Sequence, residues 1–126
     1  MTLIDAHTHI FDPAQIARRR EIAASDATFG ELYGDPVAKM AAGPALSAAV
    51  TEAGLDGAVA AGFAFSSARE LGSQNEHLLA IAKADPRIIA LATVNPALQG
   101  WEAEAERALA AGARGFGELR PHNQGW

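Results

Sequence analysis

Four short apolar runs, each unbroken rather than alternating, limit what this chain can fold into. They occupy residues 3–6, 57–63, 88–94 and 113–119. Each has the length of a strand, and continuous apolarity suits strands covered on both faces, as in parallel sheets. Helical patterns stand between them. Leu46, Ala49, Val50 and Ala53 recur at helical spacing within 44–53, and Gly54 supplies a stop. Ser73 and Glu76 have the spacing of a capping box ahead of a helix at 77–84, which Pro86 prevents from continuing. A third helix is read over 101–111 and closed by Gly112. The order predicts βα units with right-handed crossovers: an α/β fold of about four parallel strands in one domain, 1–126.

Between the first strand and the first of these helices lies a long insertion, 12–43. Structureless connections of that size are uncommon in compact domains, so the segment is read as lid-like, with a helix of its own over 14–24. The run Arg18, Arg19, Arg20 on that helix is read as a solvated face. Phe29 and Tyr33 sit beside glycines, and two uses stay open for them. They either plug the insertion onto the barrel or border a ligand pocket.

The totals exclude several classes of function. A formal charge of -5 and a pI near 5.2 argue against nucleic acid or an anionic membrane as partner. With no cysteine, any metal must be held by histidine and carboxylate. The opening lacks a basic stretch followed by an apolar one, and no apolar run approaches the roughly 18 residues of a spanning helix. A cytoplasmic protein with a small-molecule substrate is the expectation.

Against that background the opening DAHTHIF stands out. In a strand, residues i and i+2 project from one face with Cα atoms roughly 6–7 Å apart. His7 and His9 can therefore reach one metal ion, at the strand end where parallel βα folds place their sites. Asp5 shares their parity. Glu118 ends the fourth apolar run after Gly115-x-Gly117, where a carboxylate would meet the mouth of a parallel barrel. Phe116 and Arg120 share its parity. Phe63 is read as a pocket wall or a packing residue, and Arg120 and His122 as candidates for substrate contact. His122 could equally belong to a polar turn after Pro121. His77 is read as a surface residue. No phosphate-binding glycine loop or GxSxG elbow is present.

These residues resemble the amidohydrolase superfamily, specifically the amidohydrolase-related branch of aminocarboxymuconate-semialdehyde decarboxylase-like proteins. IDAHTHIF and GARGFGELRPHNQGW carry the likeness most specifically, with DATFGELYGDPVAKMA, EAGLDGAVAAGF and NEHLLAIAKADPRIIALATVNP between them. The resemblance implies a metal-dependent (β/α)8 TIM-type barrel with a divalent metal, zinc foremost, at its C-terminal mouth. His7 and His9 match the family's first two ligands. Glu118 falls at its strand-four position, a metal-bridging or metal-adjacent one, and is carried over as a metal ligand. The implied activity is hydrolysis of a small organic substrate by metal-activated water. Non-oxidative decarboxylation on the same scaffold and a catalytically inactive metal-binding half-barrel are the alternatives. The family also uses histidines after strands five and six and a proton-handling aspartate after strand eight. A full barrel takes roughly 250 residues, so the chain reads as an N-terminal half-barrel, with the proton-handling group beyond it. Open strand edges would favour a homo-oligomer.

Overall fold

The computed structural model describes residues 1–126. Three strands, β1 (Ile4–Thr8), β2 (Gly57–Ala61) and β3 (Ile88–Leu91), form a parallel sheet in the order β1-β2-β3. Seven helices accompany it. Three belong to the insertion: α1 (Pro13–Ala17), α2 (Arg19–Ser25) and α3 (Ala27–Tyr33). The others are α4 (Gly43–Glu52), α5 (Ala68–Ala84), α6 (Trp101–Ala110) and the short α7 (Pro121–Gln124). No helix is long and apolar enough to cross a membrane.

One face of the sheet is fully covered. Ala58, Ala60, Ile88, Ala90 and Ala92 are buried with Leu46, Val50, Leu78, Leu79 and Ala108 of the flanking helices. The small strand residues let those helices approach closely. The opposite face differs from the expectation of two-sided cover. Val59, Ile89 and Leu91 are only half-buried there, and β1 is a free edge with Leu3 47% and Ile4 46% exposed.

The fourth apolar run does not become a fourth strand. It makes an isolated parallel bridge, Ala92 to Phe116, supported by Arg114 N–H donating to the Ala90 carbonyl. It then leaves β3 for the end of β2. Gly62 donates its N–H to Gly117 and accepts one from Glu118. Two glycines in the run remove the side chains that would hold a regular ladder.

The helices also depart from the sequence pattern. α5 begins at Ala68, so Ser73 and Glu76 lie inside it rather than at its start. The loop before it is fixed from elsewhere: buried Asp26 accepts hydrogen bonds from the N–H and hydroxyl of Ser66 while capping α3 through Phe29 N–H. Ser73 instead donates its hydroxyl to Asp12, at 2.6 Å. The single helix expected over 14–24 is broken at Arg18 (φ -95°, ψ 19°), whose guanidinium reaches both oxygens of the buried Glu70 carboxylate at 2.9 Å.

The insertion is held down by an aromatic core. Phe11, Ile22, Phe29, Phe63, Phe65 and Leu71 are buried together, with Tyr33 at the margin. Phe29 stacks on Phe65 at 5.7 Å between ring centres and meets Phe63 edge-on at 5.7 Å. Phe29 has no accessible surface and Phe63 is buried, so both serve as packing residues. Between the two uses left open, Phe29 is a plug.

His77 is not a surface residue. It is half-buried, and its Nε2 accepts the N–H of Gly43 at 3.2 Å, an otherwise unpaired donor in the first turn of α4. Burial holds its pKa below the usual 6.5, against the opposing pull of Asp12. A histidine kept neutral by folding adds stability that is fully present above about pH 6.5 and is lost as pH falls towards the lower folded-state value. Urea midpoints measured between about pH 7.5 and pH 5.5 should fall more steeply for the wild type than for His77→Gln. Equal slopes would show that His77 is not the source of this pH dependence.

Candidate metal centre

β1 and the segment after β3 bring three donor side chains together at the C-terminal ends of the strands. The Nε2 atoms of His7 and His9 are 2.9 Å apart. Glu118 Oε2 lies 3.4 Å from His7 Nε2 and 3.2 Å from His9 Nε2. Donor atoms about 2.0–2.1 Å from a tetrahedral zinc stand about 3.3–3.4 Å from one another, and octahedral neighbours stand closer. The three separations fit one face of such a polyhedron.

A backbone carbonyl behind His9 fixes the chemistry of that donor. His9 Nδ1 lies 3.1 Å from the Ala61 carbonyl oxygen, which can only accept, so Nδ1 carries the proton. In the neutral ring that leaves the Nε2 lone pair facing Glu118. Two acceptors facing each other at 3.2 Å need a proton or a cation between them, and a divalent cation is one way to supply it. The donor set of two imidazoles and one carboxylate is also one that zinc accepts. The His9 side chain is 21% exposed against 64% for His7, so the ring oriented by Ala61 is also the better sheltered.

Local sequence explains how these groups converge. The register of β1 against β2 shifts between Asp5 and Thr8, and such irregularities re-aim side chains. Asp5 consequently stays outside the donor group and accepts the His7 backbone N–H at 3.1 Å. Glu118 is set by the exchange of backbone hydrogen bonds with Gly62. A Cβ at Gly62 would lie 2.8 Å from Thr93, so only glycine permits this approach. Thr93 is in turn gripped by the buried Asn75 amide, which accepts its N–H at 2.8 Å and donates to its carbonyl at 2.9 Å. The common parity expected for Phe116 and Glu118 does not hold. Phe116 packs against the helix-side core while Glu118 reaches the histidines.

Beside His9 opens a cleft of about 510 Å³, with Phe11, Tyr33, Lys39 and Met40 among its walls. Burial, and then the charge of Glu118, raises the ionisation of the Tyr33 phenol above its usual 10. Arg120 and His122 lie outside the donor group. Arg120 is half-buried at the start of α7, its N–H donating to Gln124 Oε1, and His122 is exposed on α7. Gln124, in the same turn, is buried and donates to the Val94 carbonyl at 3.1 Å, tying the C-terminal turn to the segment that follows β3.

No protein-family model and no curated protein sequence matches this chain. Among solved structures it is similar to a probable 2-pyrone-4,6-dicarboxylic acid hydrolase from Acinetobacter baumannii, with citric acid bound. The superposition covers 92% of this chain with a TM-score of 0.54 and 18% sequence identity. The shared fold is part of a TIM barrel. The chain spans 37% of the length of that hydrolase. Its three parallel strands and their helices correspond to a portion of that fold.

Proposed function

We propose that this chain carries the metal-holding part of an amidohydrolase-type hydrolase site acting on a small carboxylated substrate. The observation that carries the reading is the convergence of His7, His9 and Glu118 at the C-terminal strand ends, with their ligand atoms within 4.8 Å of one another. His7 and His9 would hold a divalent ion, zinc foremost, and Glu118 would complete this chain's share of the coordination. When bound, such an ion supplies Lewis acidity towards a carbonyl and acidifies water.

The chain's own groups then have distinct tasks. The Ala61 carbonyl keeps the His9 ring in the tautomer that presents Nε2. Phe11 and Met40 give the adjoining cleft an apolar wall, and the exposed Lys39 gives it a cation. A flat or compact carboxylate suits such a wall. The similar structure belongs to a protein named for hydrolysing a cyclic dicarboxylic acid, which agrees with this substrate class. Tyr33 is assigned to the substrate wall, and Arg120 and His122, following Glu118 in the chain, to its carboxylates.

The test is turnover by the zinc-loaded protein of 2-pyrone-4,6-dicarboxylic acid and related cyclic esters, followed by mass spectrometry. The expected product has gained one water, and a chelator abolishes its formation. Release of carbon dioxide would instead favour decarboxylation on the same scaffold. Bound zinc without turnover would favour an inactive metal-binding half-barrel.

A further inference from the structure

Arg19 does something that the charge run around it conceals. Arg18 is engaged by Glu70 and Glu21, and Arg20 is exposed, but the Arg19 guanidinium faces back into the protein. Its Nε donates to the carbonyl of Tyr33, the last residue of α3. One terminal nitrogen donates to Pro36 at 3.3 Å, and the other donates to Asp35 and, at 2.8 Å, to Ala38. Four of the five N–H groups of the guanidinium are thus spent on carbonyls of a single loop, 33–38. Such an arrangement depends on a planar fork, because an ammonium has three donors and no plane. The cation also sits at the carbonyl end of α3, where the aligned peptide dipoles favour it.

This loop is one wall of the cleft beside His9, and Arg19 itself lines that cleft. Tyr33 stands where the loop begins, its ring edge-on to Phe11 at 4.9 Å. We propose that Arg19 is a positioning residue that gathers the carbonyls of the loop 33–38 and so holds Tyr33 and the outer wall of the cleft in place. Its bearing on catalysis rests on the reading of that cleft as a substrate site. The loop-holding role itself stands on the hydrogen bonds alone. An Arg19 acting only as a point charge towards an anionic ligand would be replaceable by lysine. A gatherer of four carbonyls would not.

Tyr33 is the only tyrosine in the chain, so 3-fluorotyrosine labelling gives one fluorine resonance that reports on this wall. The deciding variant is Arg19→Lys, which keeps the charge and the helix propensity. Arg19→Gln removes the charge as well, and Arg20→Gln serves as the control. Both Arg19 variants should move the resonance towards that of free fluorotyrosine. They should also speed tryptic cleavage after Lys39 by about tenfold or more, as local opening becomes cheaper. Amide exchange in β2 and zinc affinity should stay at the wild-type level, which separates a local effect from general unfolding. A wild-type resonance and cleavage rate in Arg19→Lys would overturn the proposal, and so would insensitivity of both Arg19 variants. Failure of the wild-type protein to bind zinc would reject the functional reading instead, leaving the Tyr33 result to decide the role of Arg19.

Discussion

Replacing His9 with alanine should lower the zinc affinity of this chain by at least about a hundredfold, and His7→Ala by a somewhat smaller factor. The protein offers three donors, so losing one leaves two, and an ion held by two side chains competes poorly with free solvation. The ranking follows from preparation. His9 is the more sheltered ring, and its Nδ1–H is already committed to the Ala61 carbonyl, so little orientational freedom is lost on binding. His7 must be ordered from a more exposed state. Glu118→Gln should cost about tenfold, because the amide keeps an oxygen donor but removes the charge that faces the cation. Titration against a chromophoric chelator measures all three, with circular dichroism checking that the fold survives. Survival is expected, since β1 is held to β2 by backbone pairing and by Thr8 Oγ1 donating to the Val59 carbonyl. Wild-type affinity in both histidine variants would place any bound zinc elsewhere.

The second large effect is on stability. Phe29→Ala should destabilise the fold by about 3–5 kcal/mol, read from urea unfolding. Phe29 is fully buried and touches the rings of Phe11, Tyr33, Phe63 and Phe65. Truncation leaves a void where the fully buried ring of α3 enters that aromatic cluster, and several aromatic pairs vanish together. Phe29→Leu should recover most of the loss, because it keeps the apolar volume while giving up ring geometry. With total stabilities commonly about 5–15 kcal/mol, the alanine variant stands near the limit of folding. A cost below about 1 kcal/mol would mean that the insertion is not held by this plug.

What could be read from residues alone follows how local the signal was. β2, β3, α4 and α6 lie where short apolar runs and helical spacing put them, since burial and glycine stops leave their mark within a few residues. The strand expected at 113–119 failed because continuation of a ladder depends on a partner, and here Gly62, just past β2, draws the backbone away from β3. The start of α5 was missed because Asp26, far away in the chain, fixes the Ser66 turn and overrides the local capping pattern at Ser73. In the candidate site, His7 and His9 were legible through their strand spacing. Glu118 was legible as well, from its place at the end of the fourth apolar run. The contacts through Gly62, Thr93 and Asn75 that set it were not, because no fixed spacing encodes them. Arg19 was hidden for a similar reason. A guanidinium that serves backbone carbonyls leaves no acidic partner in the sequence to announce it.

X-ray absorption at the zinc edge of the protein loaded with one equivalent of metal tests the central claim most directly. The account predicts imidazole nitrogens at about 2.0–2.1 Å and a carboxylate oxygen at about 2.0–2.2 Å. Two imidazoles should be visible in the wild type and one in His9→Ala. A shell of water oxygens alone, or an imidazole count unchanged by His9→Ala, would contradict it.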